Sequence, residues 1–355
     1  MELKEGYKQT EVGVIPEDWE TPRLNELVDP NRTIRYGIVQ PGKYDPNGRY
    51  MIRGQDYSKG WVDPSEFFRV SPAVEEPFAN ARVKTGDVLI TIVGASTGRI
   101  AVVPEWLNGA NLTQTTARIS LRAQLADGRY CSYLLASPAG ADQVSSYLKG
   151  AAQPGLNCGD IEKFIIPIPP TKAEQEAIAE ALSDADALIE SLERLIAKKR
   201  QIKQGAMQEL LTRKKRLPGF TGEWEVTRAD KIGKFRGGSG FPTRFQGATS
   251  GRYPFFKVSD MNNPGNEIFM RTSNNRISDS VRKQLGAVVF PEGSIVFAKV
   301  GAAVFLERKK ILNDPSCLDN NMAAFLLEKD QVDCRFMHYM LLDTKLGALV
   351  RETLI

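Results

Sequence analysis

The feature that most constrains this sequence is that it repeats itself. Ile15-Pro16-Glu17-Asp18-Trp19-Glu20, followed by Arg23, returns as Phe220-Thr221-Gly222-Glu223-Trp224-Glu225, followed by Arg228, with the two tryptophans 205 positions apart. Tyr50–Asp56 resembles Tyr253–Asp260, each an apolar run that turns polar at its end. The sharpest match sets Lys84-Thr85-Gly86-Asp87-Val88-Leu89-Ile90-Thr91-Ile92-Val93-Gly94 against Pro291-Glu292-Gly293-Ser294-Ile295-Val296-Phe297-Ala298-Lys299-Val300-Gly301, at a shift of 207. Arg129–Leu135 then matches Arg335–Leu341 at 206. Apolar strands alone would not also reproduce Trp, Gly and Tyr at fixed places, so the chain holds two copies of one plan. Gly150 would map just past Ile355. The second copy is therefore expected to be incomplete, with no counterpart to the segment from Gly150 to the end of the helix described below.

Length agrees with duplication: 355 residues, 42% of them hydrophobic, suffice for two cores. Charge decides little, since 47 Lys and Arg against 43 Asp and Glu give +4, which permits nucleic-acid binding without demanding it. Cys131, Cys158, Cys317 and Cys334 form no CxxC pair and have no His-rich neighbourhood, so neither a zinc ribbon nor a disulfide framework is indicated. The start, MELKEGYKQTEVG, lacks an apolar signal core, and no run approaches the roughly 18 apolar residues of a membrane span. A soluble, cytoplasmic protein with no membrane contact is expected.

Within a copy, Asp87–Val93 and Arg99–Val103 are β-branched runs separated by Gly94-Ala95-Ser96-Thr97-Gly98, which predicts a hairpin. Thr115–Leu121 and Ile161–Ile168 predict further strands, and Arg129–Leu148 a helix. The fold class is α+β: two strand-rich globular domains joined by a long coiled-coil-forming helix. That helix starts at Thr171-Lys172-Ala173-Glu174, a capping box after Pro169-Pro170, and runs to about Thr212. Ile178, Leu182, Ala185, Leu188, Ile189, Leu192, Leu195 and Ile196, with Ala181 and Ile202, repeat at heptad-like spacing and form a stripe suited to a partner helix. Its first half carries Glu174, Glu176, Glu180, Asp184, Asp186, Glu190 and Glu193 against only Lys172. Its second half carries Arg194, Lys198, Lys199, Arg200 and Lys203, then the run Arg213–Arg216, against only Glu209. Two such helices laid antiparallel set acid against base, whereas parallel ones repel, so antiparallel pairing is expected. These charges could equally solvate an exposed face.

Catalytic chemistry finds few residues to stand on. His338 is the only histidine, so a triad, a Cys-His dyad or a His-based metal site would rest on it alone. Gly94–Arg99 lacks the spacing and lysine of a P-loop, and Gly237-Gly238-Ser239-Gly240 is no dinucleotide fingerprint, since Thr243 stands where a third glycine belongs; it reads as a mobile loop. No Asn- or Asp-Pro-Pro-aromatic motif of an amino-methyltransferase occurs. The polar loops do suit DNA, because Arg, Lys, Asn, Gln and Tyr donate to phosphates and read base edges. Copy one offers Arg35, Tyr36, Arg53, Gln55, Lys59, Ser96, Thr97 and Arg99. Copy two offers Arg236, Arg244, Lys257, Asn262, Asn263, Arg276 and Lys299. Any one of them could equally be a solvated loop residue.

The order of parts then carries a resemblance: Gly13–Glu20, Gly86-Asp87-Val88-Leu89-Ile90, Gln153-Pro154, Gly159-Asp160-Ile161, and Ile166-Pro167-Ile168-Pro169-Pro170 followed by Glu174-Gln175. This resembles the specificity subunit of type I restriction-modification systems. The resemblance implies target-recognition domains at 1–170 and 217–355, joined by a spacer helix at 171–216. It implies that each domain reads half of a bipartite site in double-stranded DNA. Two long helices would pair antiparallel, fix the spacing and dock methyltransferase subunits, and through them restriction subunits. Adenine methylation from S-adenosylmethionine and ATP-driven cleavage would then belong to those partners, and this chain would be non-catalytic, with no cofactor or metal of its own. Because the second proline-rich strand and helix of the family are not found here, the exposed stripe predicts a homodimer through residues 171–212. The alternative is a truncated interaction or decoy protein, which holds a methyltransferase subunit or self-associates without site-specific DNA binding.

Overall fold

Short β-branched and aromatic runs punctuated by glycine and proline fold here into small sheets, and the same sheets are built twice. The structure, a computed structural model, describes residues 4–149 and 155–348. It divides into two compact units, Met1–Arg194 and Leu195–Ile355.

The first unit opens with a hairpin of β1 (Tyr7–Thr10) and β2 (Gly13–Pro16). Its strands are then β3 (Arg35–Tyr36), β4 (Arg49–Ile52), β5 (Phe68–Val70), β6 (Val88–Thr91), β7 (Ile100–Val102), β8 (Asn111–Leu112) and β9 (Thr116–Ile119). One sheet has the order β3-β9-β6-β7 and is antiparallel throughout; the other has the order β5-β4-β8, with β4 antiparallel to β5 and parallel to β8. The second unit holds β10 (Gly233–Gly237), β11 (Tyr253–Phe256), β12 (Phe269–Met270), β13 (Arg276–Ile277), β14 (Ile295–Ala298), β15 (Lys309–Leu312), β16 (Cys317–Leu318) and β17 (Met322–Leu327). Its sheets run β10-β17-β14-β15-β12 and β13-β11-β16, with β11 antiparallel to β13 and parallel to β16. Apart from the opening β1–β2 hairpin and the added β12, order and sense match strand for strand. The repeat read from the sequence is a repeat of topology.

Local detail repeats as well. Gly86 and Gly293 both turn into their strands with φ near +85° and +82°, a conformation that a Cβ disfavours. The helix Gly128–Ala136 is capped by Asp127, which accepts from Tyr130 N, and the helix Cys334–Asp343 by Asp333, which accepts from Phe336 N. Trp19 packs edge-on against Tyr130, and Trp224 does the same against Phe336.

The hairpin at Gly94–Gly98 forms as the glycines predict, with Ile90 opposite Ile100. Three expectations need correction. The helix over 129–148 is two helices, Gly128–Ala136 and Pro138–Tyr147, because Pro138 cannot continue the first and starts the second behind a Ser137 cap. The strand over 161–168 is not continuous: Asn157 caps a helical turn, Cys158–Ile161, and Ile165 and Ile168 make only isolated bridges, to Arg23 and Glu20. Gly237–Gly240 is not a free loop. Gly237 closes β10, and a Cβ on Gly238 would lie 2.0 Å from the Asp319 carbonyl oxygen.

Core one gathers Leu24, Leu27, Ile34, Val88, Ile90, Tyr130, Phe164, Ile166 and Ile168, among others, and extends to Ala179 on the long helix. A second cluster in that unit joins Ile52, Phe67, Leu89 and Leu112. In the other unit, Phe256, Phe290, Val296 and Leu318 form one cluster and Phe255, Ile277 and Cys317 another. The long helix spans Lys172–Leu211, 40 residues. Thr171 Oγ1 accepts from Glu174 N at 3.3 Å, as the capping box requires.

Candidate nucleic-acid interface

In each unit, strand ends from both sheets converge on one short polar turn. In the first unit this hub is Thr113–Thr115, just before β9. Gly37 N–H donates to Thr113 O (3.1 Å), Gln114 N–H to Ile38 O (2.9 Å), Thr113 N–H to Ile52 O (3.0 Å) and Ile92 N–H to Thr115 O (2.8 Å). The ends of β3, β4 and β6 are thereby tied together. Gly54 draws the next loop in, because a Cβ there would lie 3.0 Å from the Thr91 side chain and 3.4 Å from Ser96 Oγ. Arg35, Tyr36, Arg53, Gln55, Ser96, Thr97 and Arg99 thus come from three separate stretches to one end of the unit, with exposed Lys59 following the Gly54–Asp56 turn.

These side chains are not equally available. Arg53 is forked onto buried Asp56, with Nη2 to Oδ1 at 2.7 Å, and also donates to Glu66 O. Its charge is largely answered within the unit. Thr97 Oγ1 donates to Gly94 O at 2.6 Å and so shapes its own loop. Arg35, Tyr36, Gln55, Lys59 and Arg99 are exposed, and Ser96 is half-buried.

The hub of the second unit is Asp319–Asn321, just before β17. Asp319 N–H donates to Phe256 O (2.9 Å), Ser239 N–H to Leu318 O (2.8 Å) and Lys299 N–H to Asn321 O (2.9 Å). Here Lys257 stands where Arg53 stands, and its N–H is received by Asp260 (2.6 Å) as Arg53 N–H is by Asp56 (2.8 Å). Lys257 Nζ donates to Gln246 Oε1 at 2.9 Å, which places the turn of Arg244 beside it. Lys299 Nζ lies over Gly237, where a Cβ would come within 2.8 Å of it. Arg236, Arg244, Asn262 and Lys299 are exposed. Asn263 donates to Asn274 Oδ1 at 3.1 Å. Arg276 stands apart from the hub: it pairs with Pro254 at the other end of β11, and its guanidinium holds the Gly251 and Arg252 carbonyls.

Two residues escaped the sequence reading. Gln114 and Asn320 are exposed amides on the two hub turns, 206 positions apart. The signal was present as a brief polar interruption between apolar strands, Thr113-Gln114-Thr115 and Asp319-Asn320-Asn321.

Behind the hubs, buried charges brace the scaffold. Glu75 receives Arg82 Nε at 2.7 Å and Asn111 Nδ2 at 2.8 Å, with Arg49 at 3.3 Å. Burial pushes its carboxyl up, but those hydrogen bonds and the two arginine charges outweigh burial and hold it below the usual carboxylate range. Burial pushes the Asp319 carboxyl up despite hydrogen bonds from Asn321. His338 is buried on its helix against β15, and burial lowers its basicity. Its Nε2 lies 2.9 Å from the Lys309 carbonyl oxygen, which can only accept, so Nε2 carries the proton. His338 thus serves packing between a helix and a sheet. Burial raises Cys131 to about 12 and Cys317 to about 11, which keeps both as protonated core thiols. Among the described residues, no group of three or more His, Cys, Asp and Glu could hold a metal ion, and no helix is long and apolar enough to cross a membrane.

The long helix leaves its stripe open. Leu182, Ala185, Leu188, Ile189, Leu192, Leu195 and Ile196 are exposed, whereas Ile178 packs against the first core and Gln175 and Ala179 are buried. Gln175 reaches the turn that leads into the helix Gly128–Ala136, accepting from Asp127 N and donating to Leu125 O.

Comparison with known proteins agrees with this architecture. A sequence model described as the type I restriction modification DNA specificity domain matches residues 16–203, more than half of the chain, and the chain belongs to that family. The specificity subunit of the type I restriction enzyme EcoBI of Escherichia coli is 29% identical over 219 residues, covering 62% of this chain and 45% of that protein. The MjaVIII specificity subunit of Methanocaldococcus jannaschii is 22% identical over 358 residues, covering 96% of this chain and 78% of that protein. A putative MjaX specificity subunit from the same organism is matched over 54% of its length. This chain thus spans about half the length of two of these three relatives. The crystal structure of the S subunit of a type I restriction-modification system from M. genitalium shares the fold, with a TM-score of 0.59 at 16% identity, covering 99% of this chain and 81% of that one.

Proposed function

We propose that this chain is the DNA-reading subunit of a type I restriction-modification complex, in which each unit reads one half of a bipartite site through its hub. The observation that carries this reading is the repetition of the hub itself. Two copies of one scaffold gather exposed Arg, Lys, Gln, Asn and Tyr at the same strand ends, but with different residues, as two readers of different half-sites require. Methyl transfer and cleavage belong to partner subunits, and this chain is non-catalytic and needs no cofactor. The long helix, with its open apolar stripe and acidic and basic halves, is the surface for helix pairing and for docking methyltransferase subunits. The domains follow as target recognition at 1–170, spacer at 171–216 and a second target-recognition domain at 217–355.

The test is a gel-shift assay with the methyltransferase subunit present, using duplexes from a randomised bipartite library. One enriched bipartite adenine motif is expected, and Arg99→Ala or Lys299→Ala should lower affinity for it about tenfold, the effect of losing about 1.4 kcal/mol. Capture of the methyltransferase subunit with no sequence preference would favour the decoy reading instead.

A further inference from the structure

The two hub turns are alike in a way that a solvated loop tip does not require. Each is closed by a backbone bond across four residues, Thr116 N–H to Thr113 O (3.2 Å) in the first unit and Met322 N–H to Asp319 O (3.1 Å) in the second. Each also uses its two flanking side chains on itself. Thr113 Oγ1 lies 2.7 Å from Thr115 Oγ1 and accepts from Thr115 N–H at 3.3 Å. Asp319 fills the same role with a carboxylate, accepting from Asn321 N–H at 3.1 Å and from Asn321 Nδ2 at 3.3 Å. Thr-x-Thr and Asp-x-Asn are thus two ways of locking one turn with side chains. The residue between them is Gln114 in one unit and Asn320 in the other, each an exposed amide whose side chain makes no hydrogen bond with another described residue. Gln55 is also an exposed amide at the first hub, but Ser259 stands in its place in the second. The amide common to both hubs is the one on the locked turn.

A primary amide offers a donor and an acceptor side by side. In the major groove adenine presents the complement, an N6 donor beside an N7 acceptor, whereas guanine presents two acceptors and suits Arg or Lys. Resting on the reading of each hub as a DNA interface, we infer that Gln114 and Asn320 each read one adenine through the major groove. Thr113 and Asp319 are positioning residues, which hold those amides in place by locking the turns. Bidentate reading needs such a frame, because an amide on a loose loop loses the fixed geometry that separates one base from another. A carboxylate in place of the amide keeps only acceptors and suits the N4 donor of cytosine. The reader of the first half-site can therefore be switched, not merely removed.

The experiment is selection from a randomised bipartite duplex library by the full chain with its methyltransferase subunit, read base pair by base pair. Gln114→Ala should lower the preference for adenine about tenfold at one position of one half, and Asn320→Ala at one position of the other half. Gln114→Glu should move the first of these positions toward cytosine. Placing 7-deazaadenine there removes the N7 acceptor, which should weaken the parent about tenfold and Gln114→Ala little. Thr113→Ala should lower discrimination at the Gln114 position alone, and Thr113→Ser, which keeps the hydroxyl, should restore it. Asp319→Ala should act likewise at the Asn320 position, with Asp319→Thr, the first unit's own solution, as the rescue. A role in stability alone would weaken every position of a half together, and that pattern would overturn the positioning role. A bipartite motif whose adenine positions ignore the amide changes would overturn the adenine assignment while leaving the hubs as DNA readers. Absence of any bipartite motif with the parent chain would overturn the DNA-reading function and the adenine assignment with it.

Discussion

Gly37 and Gly238 show how much a single missing methyl group decides. Each brings its backbone against the strand that leads to a hub, and a Cβ would lie 1.9 Å from Leu112 O in one unit and 2.0 Å from Asp319 O in the other. Neither carbonyl can retreat without breaking the bonds that gather the strand ends. Gly37→Ala and Gly238→Ala should each cost about 3 kcal/mol, the upper end of the overpacking range, read as a fall in the urea midpoint. Nothing in the sequence marks Gly238 as tight rather than loose, because a glycine required by close approach and one required by a turn look alike. Charge at this scale is testable by pH. The folded Glu75 carboxyl is depressed, so its contribution is fully present above the ordinary carboxylate pKa of about 4.3 and is lost as pH falls through the lower folded value. Glu75→Gln should cost about 2 kcal/mol at pH 7, and the gap in Tm between variant and parent should close on acidification toward pH 3. His338 acts in the same direction at higher pH. It is buried neutral, so the unfolded chain binds the extra proton below its ordinary pKa of about 6.5, and stability falls as pH drops through that value. His338→Gln should flatten the dependence of Tm on pH between about 7 and 5.

Among the elements, the spacer helix and the β6–β7 hairpin were the most legible, and for a physical reason. Thr171 and Glu174 form a local cap, and Gly94 and Gly98 bracket a local turn, so each signal lies within a few residues of its consequence. The segment from Ile161 to Ile168 was less legible. Its apolar residues are largely buried, as strand patterning suggests, but the Asn157 cap diverts its start into a helical turn, and Pro22, opposite Ile166, has no N–H to complete the ladder. The hubs were hardest to see, because they depend on the meeting of strands that lie some 60 residues apart in sequence, such as Ile52 and Thr113. For the helix, the exposed stripe and the split charges make a joint prediction. At micromolar concentration the chain should sediment as a dimer, and the folded variants Ile189→Asp and Leu192→Asp as monomers. Raising salt from about 0.1 to 1 M shortens the screening length from about 10 to 3 Å, so an antiparallel pair held partly by acid–base contact should loosen. A dimer that tightens with salt would point to the apolar stripe alone.

On the scale of the whole molecule, duplication has a consequence that neither copy has by itself. The two hubs share a frame but not their residues: Lys257 stands in the place of Arg53, Ser259 in that of Gln55, Asn320 in that of Gln114 and Lys299 in that of Ile92, while Arg99 belongs to the first hub alone. Among the described residues, the frames rest on separate core clusters. Distant sites without shared partners add in free energy, so the two half-specificities should be separable. Gln55→Ala with Gln114→Ala should relax base preference in one half of the recognised site by about 1–3 kcal/mol per lost contact, and leave the other half unchanged. Asn320→Ala with Lys299→Ala should do the reverse. The measurement is the methylated motif in cells that carry each variant beside its methyltransferase, read at every position of both halves. If both halves degrade together for every variant, the two hubs do not act as independent readers, and the duplicated scaffold serves assembly more than recognition.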